Sequence, residues 1–275
     1  MTEFLQDLSP AALARAIEAN TAAYYAHFSR LPGAVLHTTP PIHWFATGID
    51  EELLNGVLDA QLESDAADTQ IATVLAYFQR RRLPMLWHTG PSTRPTTLGA
   101  MLLAHGLAHV EDEPGMAADL LALEEAMSMP AGLTFTPVQD EVALREWVAV
   151  WLHPVPPTEL RQRFLTAIAG LGFAPERPLR HYLGVLDGQP VATVAVFFGE
   201  GVASVQYVVT HSAFRRQGIG AAMTLLALRQ ARAAGYRVAV LTASPMGHSL
   251  YRRLGFWDYC TLGTYSFTPA STSCP

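Results

Sequence analysis

Apolar residues recur at helical spacing from about Ala11 to Phe28, behind Ser9-Pro10, which fits an N-cap and a first-turn proline. Leu31-Pro32-Gly33 ends that pattern. Residues 34–47 read as extended, interrupted by Pro40-Pro41. Glu51–Leu62 and Ala67–Arg82 read as helices, and Pro84–His88 as a short buried strand. Thr97–His105 predicts a helix stopped by Gly106, and Met116–Leu123 fits either a strand or a short helix.

A Met-Pro-Ala-Gly segment, Met129 to Gly132, has the composition of a linker. Beyond it, Leu133–Val138 alternates as a strand. Asp140 and Thr158 stand where N-caps would open helices reaching Trp151 and Leu171. Three extended runs follow, Leu179–Leu186, Val191–Phe198 and Val202–Thr210, joined by Asp187-Gly188 and Glu200-Gly201, dipeptides suited to tight hairpins. A helix is expected over Ala221–Ala234 with Gly235 just past its end. Arg237–Thr242 reads as a strand, Gly247–Leu254 as a short helix and Trp257–Phe267 as a last strand. The order is β-α-α-β-β-β-α-β-α-β.

A length of 275 residues favours two domains, and 50% hydrophobic against 15% charged residues is enough for sizeable cores. The net charge of −6 argues against nucleic acid as the main partner. It is unevenly distributed: residues 1–128 carry 16 acidic and 6 basic side chains, residues 129–275 carry 8 and 12. A net-basic second half suits an anionic ligand. Lysine is absent, which excludes Schiff-base chemistry through a lysine. The first residues lack the pattern of a secretory signal, no apolar run is long enough to span a bilayer, and Cys260 and Cys274 suggest neither a disulfide framework nor a zinc site. The expectation is a cytoplasmic protein without a membrane partner.

The sharpest chemical signal is Arg215-Arg216-Gln217-Gly218-Ile219-Gly220-Ala221, set between a strand and the start of a helix. Unpaired amides and the positive end of the helix dipole make such a junction an anion site, and glycine lets a diphosphate approach the backbone. Glycines in strand-to-helix turns often only make the turn. The segment Val208–Ala222, however, resembles the acetyl-coenzyme A signature of the GNAT family N-acetyltransferases, R-x-x-G-x-G/A after a strand. Leu250-Tyr251-Arg-Arg-Leu-Gly255-Phe256 resembles that family's closing L-Y-x-x-x-G-F motif, and the element order above is also the family's. The resemblance covers about residues 132–268.

The resemblance implies that Val208, Val209 and Thr210 offer backbone groups to the pantetheine arm. Arg216, Gln217, Gly218, Ile219, Gly220 and Ala221 would cradle the pyrophosphate, with Arg215 at the signature Arg/Gln position. Ser244 falls where many members have a cofactor-touching asparagine, and Gly247 where they usually have alanine. Tyr251 matches the tyrosine proposed as general acid. An amine attacking a thioester expels a thiolate that needs a proton, and a phenol is protonated at neutral pH. A strand N–H, that of Val208 or Val209, would meet the oxyanion.

No general base is evident. Glu200 sits in a hairpin turn; His211 and His181 lie at strand ends, and ordered water serves equally well. His105 and His109, with Glu111 nearby, form a weak metal pattern that Gly106 interrupts, and Arg80-Arg81-Arg82 reads as a solvated helix end. No metal is expected.

Leu98–Leu107 echoes Gly247–Phe256: a short helix, a glycine, a large apolar residue, then a strand, with Leu103 at the place of the tyrosine. Residues 1–128 contain no R-x-x-G-x-G counterpart. The expected fold is α/β with two GNAT-like domains, each a central mostly antiparallel mixed sheet flanked by helices: a degenerate domain over 1–128 and a catalytic domain over 132–268. The expected reaction is acetyl-CoA-dependent N-acetyl transfer by direct attack. Its acceptor would be a small-molecule amine, and the protein a monomer or homodimer. The alternatives are a non-catalytic acyl-CoA-binding regulatory module and a protein or peptide N-acetyltransferase.

Overall fold

The computed structural model describes residues 4–123, 129–156 and 158–270, so Cys274 and the expected domain end at 124–128 lie outside the described residues. The chain divides into two compact units. Unit 1 takes the chain up to Asn20 and Gly115–Tyr259; unit 2 takes Thr21–Pro114 and the chain from Cys260 on.

In unit 1 the sheet runs β6 (Leu133–Pro137), β7 (Leu179–Leu186), β8 (Gln189–Gly199), β9 (Val202–Thr210), β10 (Val238–Thr242) and then the second half of β5 (Ala108–Asp119). All neighbours are antiparallel except β9 and β10, which are joined by helix α6 (Ile219–Ala233). Helices α4 (Glu141–Trp151) and α5 (Glu159–Leu171) precede β7. The Asp140 carboxylate caps α4 by accepting from the Ala143 N–H at 2.8 Å. Central strand β8 is buried on both faces, which reads in sequence as an unbroken Val-Ala-Thr-Val-Ala-Val run. Its side chains meet Met223, Ala227 and Leu228 of α6 in one core with Phe256. The turns at Asp187-Gly188 and Glu200-Gly201 have positive φ at both residues, the geometry a two-residue hairpin needs.

In unit 2 the sheet runs β1 (Val35–His37), β2 (Ile42–Ala46), β3 (Asn55–Ala60), β4 (Met85–Thr89) and β11 (Trp257–Phe267), whose residues 263–267 pair with β4. Here the parallel pair is β3 and β4, and its crossover helix is α2 (Ala67–Arg81). Ile71, Val74, Leu75 and Phe78 of α2 pack on Val57, Met85 and Trp87.

The expected helix over Glu51–Leu62 is instead a short 3-10 turn, Glu52–Leu54, followed by strand β3. The cause is tertiary. Gly56 lies so close to β4 that a Cβ there would sit 2.5 Å from the Leu86 carbonyl oxygen. The Asn55 amide donates to the carbonyls of Ile49, Glu51 and Pro84 and accepts from the Thr47 N–H. An Asn-Gly pair that packs this way holds a buried parallel strand, whose continuous apolar run imitates a helix. The ambiguous Met116–Leu123 segment is the end of β5 and a 3-10 turn over Leu120–Ala122.

Candidate active site

Strands β9 and β10 pair only at Ala203↔Ala239 and Ser204↔Val240. Beyond that point β9 continues to Thr210 and β10 to Thr242 without pairing with each other, so the sheet opens at the carboxyl ends of its parallel strands. Such openings are where α/β sheets bind ligands. The chain leaves β9 through a 3-10 turn (Ser212–Phe214) and enters α6 with Arg216 at φ 66° and Gly218 at φ 80°. Ala222 is the first α6 residue whose N–H bonds back, to the Gly218 carbonyl at 3.0 Å. The first-turn amides ahead of it therefore have no partner within the helix. Residues 215 to 218 are exposed, and the Arg215 Nε donates to the Thr210 carbonyl at 3.2 Å, closing the loop on itself.

The two glycines differ. Gly218 needs glycine for its left-handed backbone. Gly220 does not: an added Cβ would meet only Thr210 Oγ1 at 3.5 Å and Leu250 Cδ2 at 3.7 Å, ordinary contacts. Those contacts also show that the end of β9, the start of α6 and helix α7 (His248–Arg253) converge on this point. The donor set suits a diphosphate: amides, two arginines and no carboxylate between Val208 and Ala222.

Tyr251, on α7, is 9% exposed. Its ring lies over Gly247, where a Cβ would be 2.7 Å from Cε2 and 3.4 Å from the hydroxyl. That contact explains glycine in place of alanine one turn earlier. The exposed Ser244 accepts from the Gly247 N–H through its carbonyl (3.0 Å) and Oγ (3.3 Å), so it serves the turn into α7. His248 Nε2 and Asp258 Oδ1, 2.8 Å apart, and Arg252 stacked 3.6 Å from the Trp257 ring centre, fasten α7 to the start of β11.

Between the pairs Thr193↔Val209 and Ala195↔Gln206, β9 carries one extra residue. Tyr207 takes the bulge at φ 55°, its carbonyl accepting from Thr193 Oγ1 at 2.8 Å. The bulge interrupts the β8–β9 ladder beside Val208, and no sequence signal marks it. The Tyr207 ring packs on Trp147 and Trp151, with centroids at 5.3 and 4.6 Å. His181 is buried in the same cluster, 4.7 Å from the Trp147 ring. His211 lies at the open end of β9 against His153 of the α4–α5 loop, with ring centres 3.8 Å apart. Desolvation, then the charges of His211, Arg161 and Arg215, pushes the His153 imidazole below its ordinary value. Nothing in the sequence around His153 beyond a proline-rich loop announced this pairing. Glu200 occupies the β8–β9 hairpin at φ 52°.

His105 and His109 belong to different elements. His105 follows α3 (Leu98–Ala104) and pairs with Asp68 at 2.8 Å, whereas His109, on β5, pairs with Asp112 at 3.1 Å. No group of metal-ligating side chains forms among the described residues. The echo between Leu98–Leu107 and Gly247–Phe256 extends to geometry: α3 and α7 each end before a glycine of positive φ, Gly106 (85°) and Gly255 (89°), and a buried Leu107 or Phe256. Counted back from the glycine, the residue matching Tyr251 is the fully buried Leu102. Leu103, the expected counterpart, is 50% exposed and faces away from the core.

A family model described as the acetyltransferase (GNAT) family matches residues 141–256. No curated protein matches the chain. Among solved structures, the chain is similar to a GCN5-related N-acetyltransferase from Kribbella flavida, with 22% identity, 92% of this chain and 97% of that one covered and a TM-score of 0.70. It is also similar to a GCN5-related N-acetyltransferase from Sphaerobacter thermophilus (19% identity, 97% and 96% covered, TM-score 0.61). A tandem GNAT protein from the clavulanic acid biosynthesis pathway matches with 15% identity, 94% and 95% covered and a TM-score of 0.61. No helix among the described residues is long and apolar enough to cross a membrane. Strand order, glycine loop and family match agree: residues 141–256 carry the match to the acetyltransferase (GNAT) family, in a chain whose fold is that of the GCN5-related N-acetyltransferases.

Proposed function

We propose that unit 1 transfers an acetyl group from acetyl-CoA to the primary amine of a small molecule by direct attack. The observation that carries this reading is the amide-lined junction at 216–221, placed where β9 and β10 diverge. Amides of Arg216 to Ala221 and the charges of Arg215 and Arg216 hold the diphosphate. The free edge of Val208, Val209 and Thr210 takes the pantetheine arm as a partial strand. The bulge at Tyr207 supports an amide of Val208 or Val209 as the donor facing the charge that grows on the carbonyl oxygen. Acetyl-CoA supplies an acyl group already activated for attack by an amine. Tyr251 gives its proton to the departing sulfur, and Gly247 beneath its ring fixes the phenol. Ser244 is left with the turn into α7 as its role. His211 stands on the open side of β9, whereas His181 is buried, so proton loss from the amine runs through water or His211. The protein works in the cytoplasm, as a monomer or homodimer, without nucleic acid or membrane.

Calorimetric titration should show one CoA bound per chain. An amine panel followed by thiol release should show turnover with small amines. Binding without turnover on any amine would make the unit a regulatory acyl-CoA module, and turnover confined to peptides would make it a protein acetyltransferase. No affinity for CoA would end the proposal.

A further inference from the structure

Unit 2 contains a pocket that acyl transfer does not use. It has a volume of about 380 Å³ and lies between the β1–β2 hairpin and one face of α2. Small-molecule sites begin near this size and are mostly apolar and aromatic, with a few polar groups that set orientation. The helix contributes Gln70, Thr73, Val74, Tyr77 and Arg80, the i, i+3, i+4, i+7 and i+10 positions of a single face. From the hairpin come His37 and, at alternate positions of β2, Ile42 and Trp44.

Three rings pack in series along the pocket. His37 stacks parallel to Trp44, at 5.2 Å and 5°, and Trp44 meets Tyr77 at 4.4 Å. The His37 Nδ1–H donates to the Ile42 carbonyl at 3.1 Å, which fixes the ring and leaves Nε2 as the acceptor of the neutral imidazole. The polar groups are of two kinds. Arg80 stands exposed at the rim, and the neighbouring Arg81 guanidinium lies 3.8 Å from the Tyr77 ring centre. Carboxylates are absent from the lining. Gln70 Oε1 is buried without a hydrogen-bond partner, an unmet acceptor that a donor would satisfy. Gln70 lines the pocket and is itself partly exposed.

We infer that this pocket binds a planar aromatic acid that also carries a ring N–H or hydroxyl. The ring packs against the His37–Trp44–Tyr77 cluster, the acid group meets Arg80, and the donor satisfies Gln70. A polycation or an aliphatic polyol finds neither the charge nor the surface it needs here.

The test is calorimetry on the full chain without CoA, so its outcome is independent of the acyl-transfer reading. Three probes separate the contributions: indole-3-carboxylate has ring, donor and anion; 1-naphthoate lacks the donor; indole lacks the anion. Saturable one-to-one binding is expected for indole-3-carboxylate, with indole about tenfold weaker, as loss of one charge-assisted hydrogen bond predicts, and 1-naphthoate several-fold weaker. R80Q should erase the preference over indole and leave the thermal midpoint unchanged, and Q70L should erase the preference over 1-naphthoate without lowering the midpoint, since it removes a buried unmet acceptor. An absence of saturable binding, equal affinities for the three probes, or a ranking that both variants leave intact would overturn the assignment.

Discussion

Each unit has one pair of parallel strands with a crossover helix between them, and the two junctions have opposite chemistry. In unit 1, β9 leads into α6 through Arg215, Arg216, Gly218 and Gly220. In unit 2, β3 leads into α2 through Gln61-Leu-Glu-Ser-Asp-Ala66, with Glu63, Asp65 and Asp68 exposed around the helix start. Carboxylates suit a helix N-terminus but repel a diphosphate. The opening is also closed by the chain itself: the Arg94 N–H donates to the Ala60 carbonyl at 3.1 Å, and its carbonyl accepts from the Leu62 N–H at 2.9 Å. Arg94 thereby uses the strand edge that a pantetheine arm would need. The same topology supports a ligand only where the parallel strands' ends stay open and the loop is free of acid.

The largest expected effect separates Tyr251 from Leu102. Tyr251→Phe should lower kcat by about 10²–10⁴-fold, the usual worth of a general acid, with CoA affinity unchanged. Steady-state kinetics beside calorimetry reads both, and an unaltered kcat would remove the acid from the scheme. Next come the junction glycines. Gly220→Ala should keep stability within about 1 kcal/mol, because the protein itself accommodates a Cβ there, whereas the bulkier Gly220→Val should weaken CoA at least about tenfold. Gly218→Ala should lower both affinity and thermal midpoint, since its backbone is left-handed. Equal stability losses at the two positions would refute the distinction.

Gly247→Ala should cost about tenfold in kcat by displacing the Tyr251 ring, with CoA binding retained. The smallest effect concerns unit 2. Burial pushes His88, which stacks on Tyr25 at 4.3 Å, down to about 4. The unfolded chain takes up that proton near the ordinary histidine value, so the native state loses stability as pH falls from about 6.5 to 4. The loss is on the order of 1–3 kcal/mol. Unfolding of the wild type and His88→Gln across this range should converge at acid pH; parallel curves would contradict it.

Local signals carried most of this into the sequence. The hairpin dipeptides, the glycine loop and the cap at Asp140 specify their own neighbourhoods, and the structure places each on the expected element. What stayed hidden depends on partners distant in the chain. Strand β3 is a strand because Gly56 presses on Leu86 and Asn55 reaches Pro84. The Tyr207 bulge shows only in its register against β8, and the meeting of His153 with His211 only in space. The spacing to the glycine alone pairs Leu102 with Tyr251. The packing units also cut across chain order, because β-strand pairing at 115–119 and 263–267 is long-range.

That crossing of segments has a genetic consequence. A gene split between codons 123 and 129 would yield a first product that retains a strand belonging to unit 1 and a second that retains one belonging to unit 2. Neither polypeptide could complete its own sheet, so the two should accumulate only when co-expressed.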